Sequence, residues 1–359
     1  MKVGFNIYPL QSGHKERGIG YYTKILLEAL KADHFLEIEE FTSISHLKKV
    51  DVVHYPWFDL FFHTLPIKKQ FPTVVTIHDV IPLIFPKAYP TGLRGKINFY
   101  LQRLALKDCR FIITDSNSSK KDIAKYLKIK DEKIAVIPLA ADSSFRILSD
   151  TPSLRVKRKY HLPDQFLLYV GDANYVKNLS FLIEGFYRLI KISEYNNLKL
   201  VLVGGVFLKK VDNIDHPELE SLKKVNQLIK DYDLDKRIIR PGQLEKEELV
   251  AFYNLAALYV QPSFYEGFGL PVLEAFSCGT PVICSNAGSL KDVGGEAAVY
   301  FDPTNIDQFV SIASEILSNR SLQNKLSKLA LLQSKKFSWH KVEEETKLVY
   351  EKASKLRHL

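Results

Sequence analysis

Two carboxylates, Glu266 and Glu274, stand eight residues apart in the second half of the chain. Gly267 and Gly269 lie between them, and Pro271 falls where the first positions of a helix are expected. The free N–H groups and partial positive charge of a helix start suit a phosphate. Carboxylates accept hydrogen bonds but cannot donate them, so beside a diphosphate they would bind hydroxyl groups. The pattern predicts a site for a phosphate held between two polyols, as in a nucleotide sugar.

Two strands and a helix must position this loop. The apolar run Leu258–Val260 predicts a strand before it, and a second short strand, Pro281–Cys284, follows a helix that Gly279 ends. Such a βαβ unit brings the loop to the carboxyl edge of a parallel sheet, where ligands bind. Glu274 is predicted in the first turn of this helix, where an alternative stays open, because a glutamate in a first turn is favoured by the helix dipole alone, by about 0.3–1 kcal/mol.

The segment E-G-F-G-L-P-x-x-E followed by A-x-x-C-G-T-P-V resembles the E-x7-E signature of the retaining glycosyltransferases of family GT4. The resemblance extends over nearly the whole chain and implies an α/β GT-B fold, with two Rossmann-like domains and an interdomain cleft. It implies that Glu266 is catalytic and contacts a hexose hydroxyl, and that Glu274 binds a ribose diol. It also places the loop between them at the donor, namely Gly267, Phe268, Gly269 and Leu270.

Lys177, in the segment GDANYVKNLS, matches the family's diphosphate-binding lysine, so we expect it to be catalytic. Many relatives carry a second cation nearby, but this chain has Asp172 and Val176 at the corresponding positions. Arg240, Arg94 or the helix start alone could replace that cation. Two glycines that end strands in this half, Gly171 and Gly204, are also predicted to lie at the donor.

In the first half, His78 ends the apolar run TVVTI and begins an H-D-x-x-P-L segment. This segment resembles a subset of GT4 enzymes, several of them mannosyltransferases of bacterial polysaccharide assembly, in which the histidine lies beside the donor sugar. His78 is therefore predicted to be catalytic. Gly18 and Gly20 resemble the family's first glycine loop, although a plain strand-to-helix turn is the alternative.

Alternating strand and helix patterns predict two parallel sheets covered by helices. We expect an N-terminal acceptor-side domain over 1–158, a nucleotide-sugar-binding domain over 159–336, and a C-terminal helix over 337–359 that returns to the first domain. The boundary is predicted in the polar stretch Ser149–His161.

The chain has 359 residues, a net charge of +9 and three cysteines without metal or disulfide spacing. No nucleic-acid-binding motif accompanies the charge, so no nucleic-acid partner is expected. Asp233-Leu234-Asp235 lies in a highly charged connection, where solvated charge is the simplest interpretation, and neither a metal nor a cofactor is predicted. The absence of a leader or an apolar span predicts a cytoplasmic protein, and peripheral attachment at the inner membrane face stays open as an option.

The segment Thr91–Lys107 predicts a helix with Leu93, Ile97, Leu101 and Leu104 on one face and several cations elsewhere. This helix could rest on an anionic bilayer to meet a lipid-linked acceptor, or it could pack its apolar face into the core.

Together these patterns predict a retaining glycosyltransferase that moves a hexose from GDP-mannose or UDP-glucose to a glycan or lipid-linked acceptor. The alternatives are a sugar-nucleotide epimerase and an inactive nucleotide-sugar-binding scaffold of the same fold. Replacement of Glu266 by alanine is expected to abolish transfer and leave the fold intact.

Overall fold

The computed structural model describes residues 1–13, 18–211 and 216–355. It consists of two compact units, Met1–Leu139 with Ser338–Leu359, and Ala140–Phe337. None of the described helices is long and apolar enough to cross a membrane.

The first unit is built on a six-stranded parallel sheet in the order β2-β1-β3-β4-β5-β6. Its central strands are short apolar runs that are buried on both faces, as is usual for parallel sheets. The strands are β1 (Lys2–Asn6), β2 (Glu37–Phe41), β3 (Val52–Tyr55), β4 (Thr73–Thr76), β5 (Phe111–Thr114) and β6 (Ile134–Val136). The helices are α1 (Tyr8–Gln11), α2 (Gly18–Ala32), α3 (Ile81–Ile84), α4 (Leu93–Lys107) and α5 (Asn117–Leu127).

The second unit repeats this plan with the strand order β12-β11-β10-β7-β8-β9, again all parallel. Its strands are β7 (Phe166–Val170), β8 (Lys199–Val203), β9 (Ile238–Gly242), β10 (Leu258–Gln261), β11 (Val282–Ser285) and β12 (Ala298–Phe301). Its helices are α6 (Asp150–Lys159), α7 (Leu179–Leu189), α8 (Glu220–Asp231), α9 (Lys246–Leu255), α10 (Leu270–Ser277), α11 (Leu290–Gly294), α12 (Ile306–Ser318) and α13 (Arg320–Ser334). The predicted pair of parallel α/β sheets is confirmed.

The boundary between the units differs from the sequence prediction. The polar stretch Ser149–His161 forms helix α6, and the second unit begins at Ala140 instead of residue 159. Within α6, Ser153 and Val156 are buried. Tyr160, just after the helix, stacks edge-on against Phe252 of α9 and donates to Glu248 Oε2 at 2.8 Å. A few apolar positions are thus enough to pack a helix that composition alone presents as a linker.

The C-terminal helix α14 (Trp339–Lys355) packs on the first unit. Tyr350 is fully buried, and its hydroxyl lies 2.6 Å from Nδ1 of His54 on β3. The other ring nitrogen of His54 lies 2.8 Å from Thr76 Oγ1, and burial lowers the pKa of His54 to about 3. This neutral polar network fastens the helix to the sheet. The sequence prediction extends the helix to Leu359, but residues 356–359 lie outside the described part of the chain.

Candidate active site

Glu266 is a buried side chain of the predicted loop that several hydrogen bonds hold in place. It is only 7% exposed, and three donors converge on its carboxylate. Lys177 Nζ reaches Oε1 at 2.8 Å and Oε2 at 2.9 Å. Gln261 Nε2 and Ser263 Oγ donate to Oε1 at 2.8 and 2.6 Å. The structure therefore brings two of the three predicted catalytic residues together as a largely buried ion pair.

Neighbouring strands position this pair. Lys177 follows β7 and Glu266 follows β10, and these strands are adjacent in the sheet. The amide of Phe264 donates to Val176 O at 2.7 Å, which joins the two loops directly beside Lys177. Asn178 adopts a left-handed conformation, and its side chain donates to Pro262 O at 3.1 Å. Lys177 is thus held from both sides of its loop.

Gly171 and Gly204 end the adjacent strands β7 and β8, and their backbones are in close contact. Gly204 has φ +154°, and a Cβ there would lie 2.3 Å from the carbonyl oxygen of Gly171. No other residue fits at position 204 without moving the backbone. The two glycines therefore shape the sheet edge, whereas their predicted contact with a donor stays a prediction.

Helix α10 starts beside Glu266. Gly269 precedes it at φ +101°, a conformation that favours glycine. The hydroxyl of Ser289 donates to the carbonyl oxygens of Glu266 and Phe268 at 3.0 and 2.7 Å. A Cβ at Gly288 would lie 2.7 Å from Glu266 O, so the segment after β11 buttresses this loop. Sequence reasoning missed Gly288 and Ser289, although a small-residue segment following the neighbouring strand is the signal for them.

The rest of the loop is folded inward and compact. Phe268 is buried and packs edge-on against Phe337 at 6.1 Å between ring centroids. Leu270 is the first residue of α10, and the amide of Val272 already bonds Gly269 O at 3.0 Å. Gly267 lies in the turn between the glutamate and the helix.

Glu274 lies in the second turn of α10, so the prediction that it lies in the first turn is wrong. Its Oε2 accepts a hydrogen bond from Tyr253 Oη on α9 at 2.8 Å. The pKa of Glu274 is raised to about 7, chiefly because the carboxyl is buried; the hydrogen bond from Tyr253 and the charge of Lys246 lower it, and the carboxylate of Asp142 raises it. The helix dipole therefore does not by itself explain a glutamate at position 274, because its effect is confined to the first turn.

The second phosphate-binding cation remains unassigned. Arg240 lies on β9 at the end of the sheet, and its Nη1 donates to Asn226 Oδ1 of α8 at 3.1 Å. Burial lowers the pKa of the Arg240 guanidinium. None of its described contacts joins it to Lys177 or Glu266. Arg94 is an exposed residue of α4 in the other unit.

In the first unit, His78 forms a dyad that the sequence analysis missed in part. His78 follows β4 and Asp115 follows the adjacent strand β5, and His78 Nδ1 lies 2.6 Å from Asp115 Oδ2. Tyr22 packs edge-on against the imidazole at 4.7 Å. Although burial opposes it, the carboxylate of Asp115 raises the pKa of His78. His78 Nε2 is buried and has no hydrogen-bond partner among the described residues. Asp115 Oδ1 is likewise buried without a hydrogen-bond partner among the described residues, so each side chain of the dyad has one unpaired polar atom.

Gly18 and Gly20 lie in the first turn of α2, and the residues just before them, 14–17, are outside the described part of the chain. A Cβ at Gly18 would meet nothing within 4 Å. Asp233 takes a left-handed conformation just after α8, as at a helix end. Within the described residues, no group of three or more His, Cys, Asp or Glu side chains is placed to hold a metal ion.

Two family models match the chain. Residues 150–332 match "Glycosyl transferases group 1", and residues 17–145 match "Glycosyltransferase Family 4". The chain is 32% identical over 272 residues to the serotype-specific mannosyltransferase WbdA of Escherichia coli, covering 74% of this chain and 32% of that protein. It is 30% identical over 269 residues to O-antigen chain mannosyltransferase B of Escherichia coli, covering 74% and 66%. The chain thus spans about a third of the length of WbdA.

The fold is similar to that of solved glycosyltransferases. The sucrose-phosphate synthase from Thermosynechococcus elongatus superimposes with a TM-score of 0.75 at 18% identity, covering 98% of both chains. Together with the two parallel sheets, this similarity shows a GT-B fold. The chain belongs to the group 1 glycosyltransferases, with a family 4 domain in its first unit.

Proposed function

We propose that this chain is a retaining, metal-independent hexosyltransferase that uses a nucleoside diphosphate hexose as donor. The observation that carries the proposal is the pairing of the Lys177 ammonium with the Glu266 carboxylate beside the start of α10. A cation and a helix start stabilise negative charge as a diphosphate leaves. A buried carboxylate accepts hydrogen bonds from sugar hydroxyls.

In the proposed reaction the bond between the anomeric carbon and the β-phosphate oxygen breaks. The acceptor hydroxyl oxygen forms the new bond on the same face of the sugar, and its proton goes to the departing diphosphate. Lys177 binds the diphosphate, Glu266 orients the hexose, and Glu274 binds the ribose diol. His78 is proposed to hydrogen-bond a hydroxyl of a sugar substrate through Nε2, the atom without a partner among the described residues.

The donor is proposed to be GDP-mannose or UDP-glucose, and the names of the similar mannosyltransferases favour mannose. The acceptor is proposed to be a glycan or a lipid-linked glycan, with the protein cytoplasmic and in contact with the inner membrane face.

The test is an incubation with each donor, with and without an α-mannosyl oligosaccharide, followed by NMR of the products. We expect a new glycoside whose anomeric configuration equals that of the donor, and slow hydrolysis when the acceptor is left out. A new sugar nucleotide formed without acceptor would identify an epimerase. Binding with neither transfer nor hydrolysis would identify an inactive scaffold.

A further inference from the structure

Helix α4 exposes three large apolar or aromatic side chains. Leu93, Ile97 and Tyr100 are 76%, 55% and 56% exposed, and their spacing places them in one stripe along the helix. The buried residues of α4 are Gln102, Ala105 and Leu106. Ala105 and Leu106 belong to the core of the unit and Phe99 packs against it, so α4 has a core-facing apolar side and a second, exposed apolar stripe. The sequence-based alternative of a core-packed stripe is therefore wrong for Leu93 and Ile97.

Polar contacts add to the core packing of Ala105 and Leu106 in holding the helix in this orientation. Gln102 Nε2 donates to Thr64 Oγ1 at 2.7 Å, and Asn98 Nδ2 donates to Phe61 O at 2.8 Å. These bonds hold the loop after β3 against the inner side of α4. Phe62 follows in that loop and is 69% exposed, which adds an aromatic side chain next to the helix. We call Phe62, Leu93, Ile97 and Tyr100 the apolar stripe.

Only cations accompany the stripe on α4. Arg94, Lys96, Arg103 and Lys107 are its charged residues, and no acidic residue lies between Val80 and Lys107. In the part of the chain that the structure describes, none of these four side chains forms an ion pair. On a helical projection Lys96, Arg103 and Lys107 flank one side of the stripe and Arg94 the other.

We propose that α4 and Phe62 bind the surface of a membrane that carries anionic lipid headgroups. The apolar stripe enters the boundary between headgroups and acyl chains, and the cations beside it bind lipid phosphates. A second copy of the chain is a poorer occupant, because a symmetric contact would bring the same cations together. The membrane-binding proposal rests on the proposed function in one respect, namely that a lipid-linked acceptor would be located at a membrane.

The test is co-sedimentation of the full chain, without donor or acceptor, with vesicles of phosphatidylglycerol and phosphatidylethanolamine. Vesicles of phosphatidylcholine alone are the neutral comparison. We expect binding to the anionic vesicles that salt weakens. The double variant Leu93→Ser/Ile97→Ser should bind at least about tenfold more weakly, since each side chain loses its apolar burial. Lys96→Ser should bind about fivefold more weakly.

Matched controls are Leu348→Ser, an exposed leucine of α14 in the same unit, and Lys121→Ser, an exposed lysine of α5. Both should bind like the unmodified protein, and the melting temperature shows whether each variant is folded. Equal binding by the stripe variant, or no binding by the unmodified protein, would overturn the proposal. So would self-association in solution that the stripe variant loses, because a second copy would then cover the stripe. Transfer to a soluble oligosaccharide is measured separately, so vesicle binding without transfer would count against the proposed function alone.

Discussion

Glu266 has a structural role that its position in the sequence does not reveal, beside the binding role proposed for it. Its carboxylate is proposed to bind a hexose hydroxyl, and it also balances the charge of Lys177 and accepts bonds from Gln261 and Ser263. Removing one partner of a buried ion pair commonly costs about 3–5 kcal/mol. The expectation that Glu266→Ala leaves the fold intact is therefore revised, because alanine would leave all three donors without this acceptor.

Glu266→Gln is the sharper substitution, since the amide keeps one oxygen acceptor while it removes the charge and replaces the other oxygen by a donor NH2 group. We expect transfer to fall by about 100-fold or more, as for the loss of one group that acts in the transition state. The melting temperature should fall by only a few degrees. Glu296→Gln, at an exposed glutamate of the same unit, is the matched control and should change neither quantity. Transfer within a few-fold of normal would show that Glu266 is structural.

If Glu274 binds the ribose diol as proposed, donor binding should depend on pH. Its pKa is raised to about 7, so the carboxyl is mostly protonated below that pH and must lose a proton to accept bonds from a ribose diol. We expect the affinity for the nucleotide sugar to weaken below pH 7, by up to about tenfold per pH unit. Calorimetric titration from pH 6 to pH 8 measures this. The Glu274→Gln variant should bind the nucleotide sugar weakly and without this pH dependence. An unchanged pH profile in that variant would show that Glu274 is not the group that titrates.

Asp115 is a positioning residue for His78. Because its carboxylate raises the pKa of His78, Asp115→Asn should lower that pKa. If transfer requires the protonated imidazole, its decline with rising pH should begin at a lower pH in the variant, with a roughly tenfold loss at neutral pH. Asp115→Glu should restore part of the activity. A uniform loss at every pH would indicate a structural role only.

Among the elements, the sequence predicts strongly apolar strands and well-started helices, such as β10, β11 and α10, with nearly their observed ends. It does not predict β2, where the segment EIEEF carries three acids. That strand forms at the edge of the sheet, where Lys2 lies 3.1 and 2.9 Å from Glu37 and Glu39. Its stability comes from a partner strand distant in sequence, which local patterns do not show.

Local sequence patterns also do not show which distant residues meet in the candidate site. Glu266 and Lys177 are found by motif, but Asp115 lies 37 residues from His78 and meets it only because β4 and β5 are neighbours. The sequence also does not show that Leu93 and Ile97 of α4 face outward, because periodicity defines an apolar stripe but not the direction that it faces.

Tyr350→Phe tests how α14 is attached to its unit. The substitution removes the hydroxyl beside His54 Nδ1 and leaves a buried ring nitrogen without this partner. We expect a loss of about 1–3 kcal/mol in the free energy of unfolding, measured by urea denaturation. Tyr100→Phe, at an exposed tyrosine, is the control and should cost almost nothing. An equally small effect at Tyr350 would mean that the helix is held by apolar packing alone.

At the scale of the molecule, two units share one plan, and each carries its polar cluster at the carboxyl edge of its own parallel sheet. In the first unit this cluster is His78 with Asp115, and in the second it is Lys177 with Glu266. This is the edge at which open α/β sheets bind ligands. The net charge of +9 and the cations of α4 are consistent with anionic partners, both a diphosphate and a lipid surface.

The central claim is that Lys177 and the start of α10 bind the diphosphate of a sugar nucleotide. The most direct measurement is a crystal structure of the protein with GDP-mannose or UDP-glucose bound. We expect Lys177 Nζ to lie within hydrogen-bond distance of the β-phosphate, the amides at Leu270 to face the same group, and Glu266 to contact a hexose hydroxyl. A nucleotide bound elsewhere, with the ion pair between Lys177 and Glu266 unchanged, would contradict it.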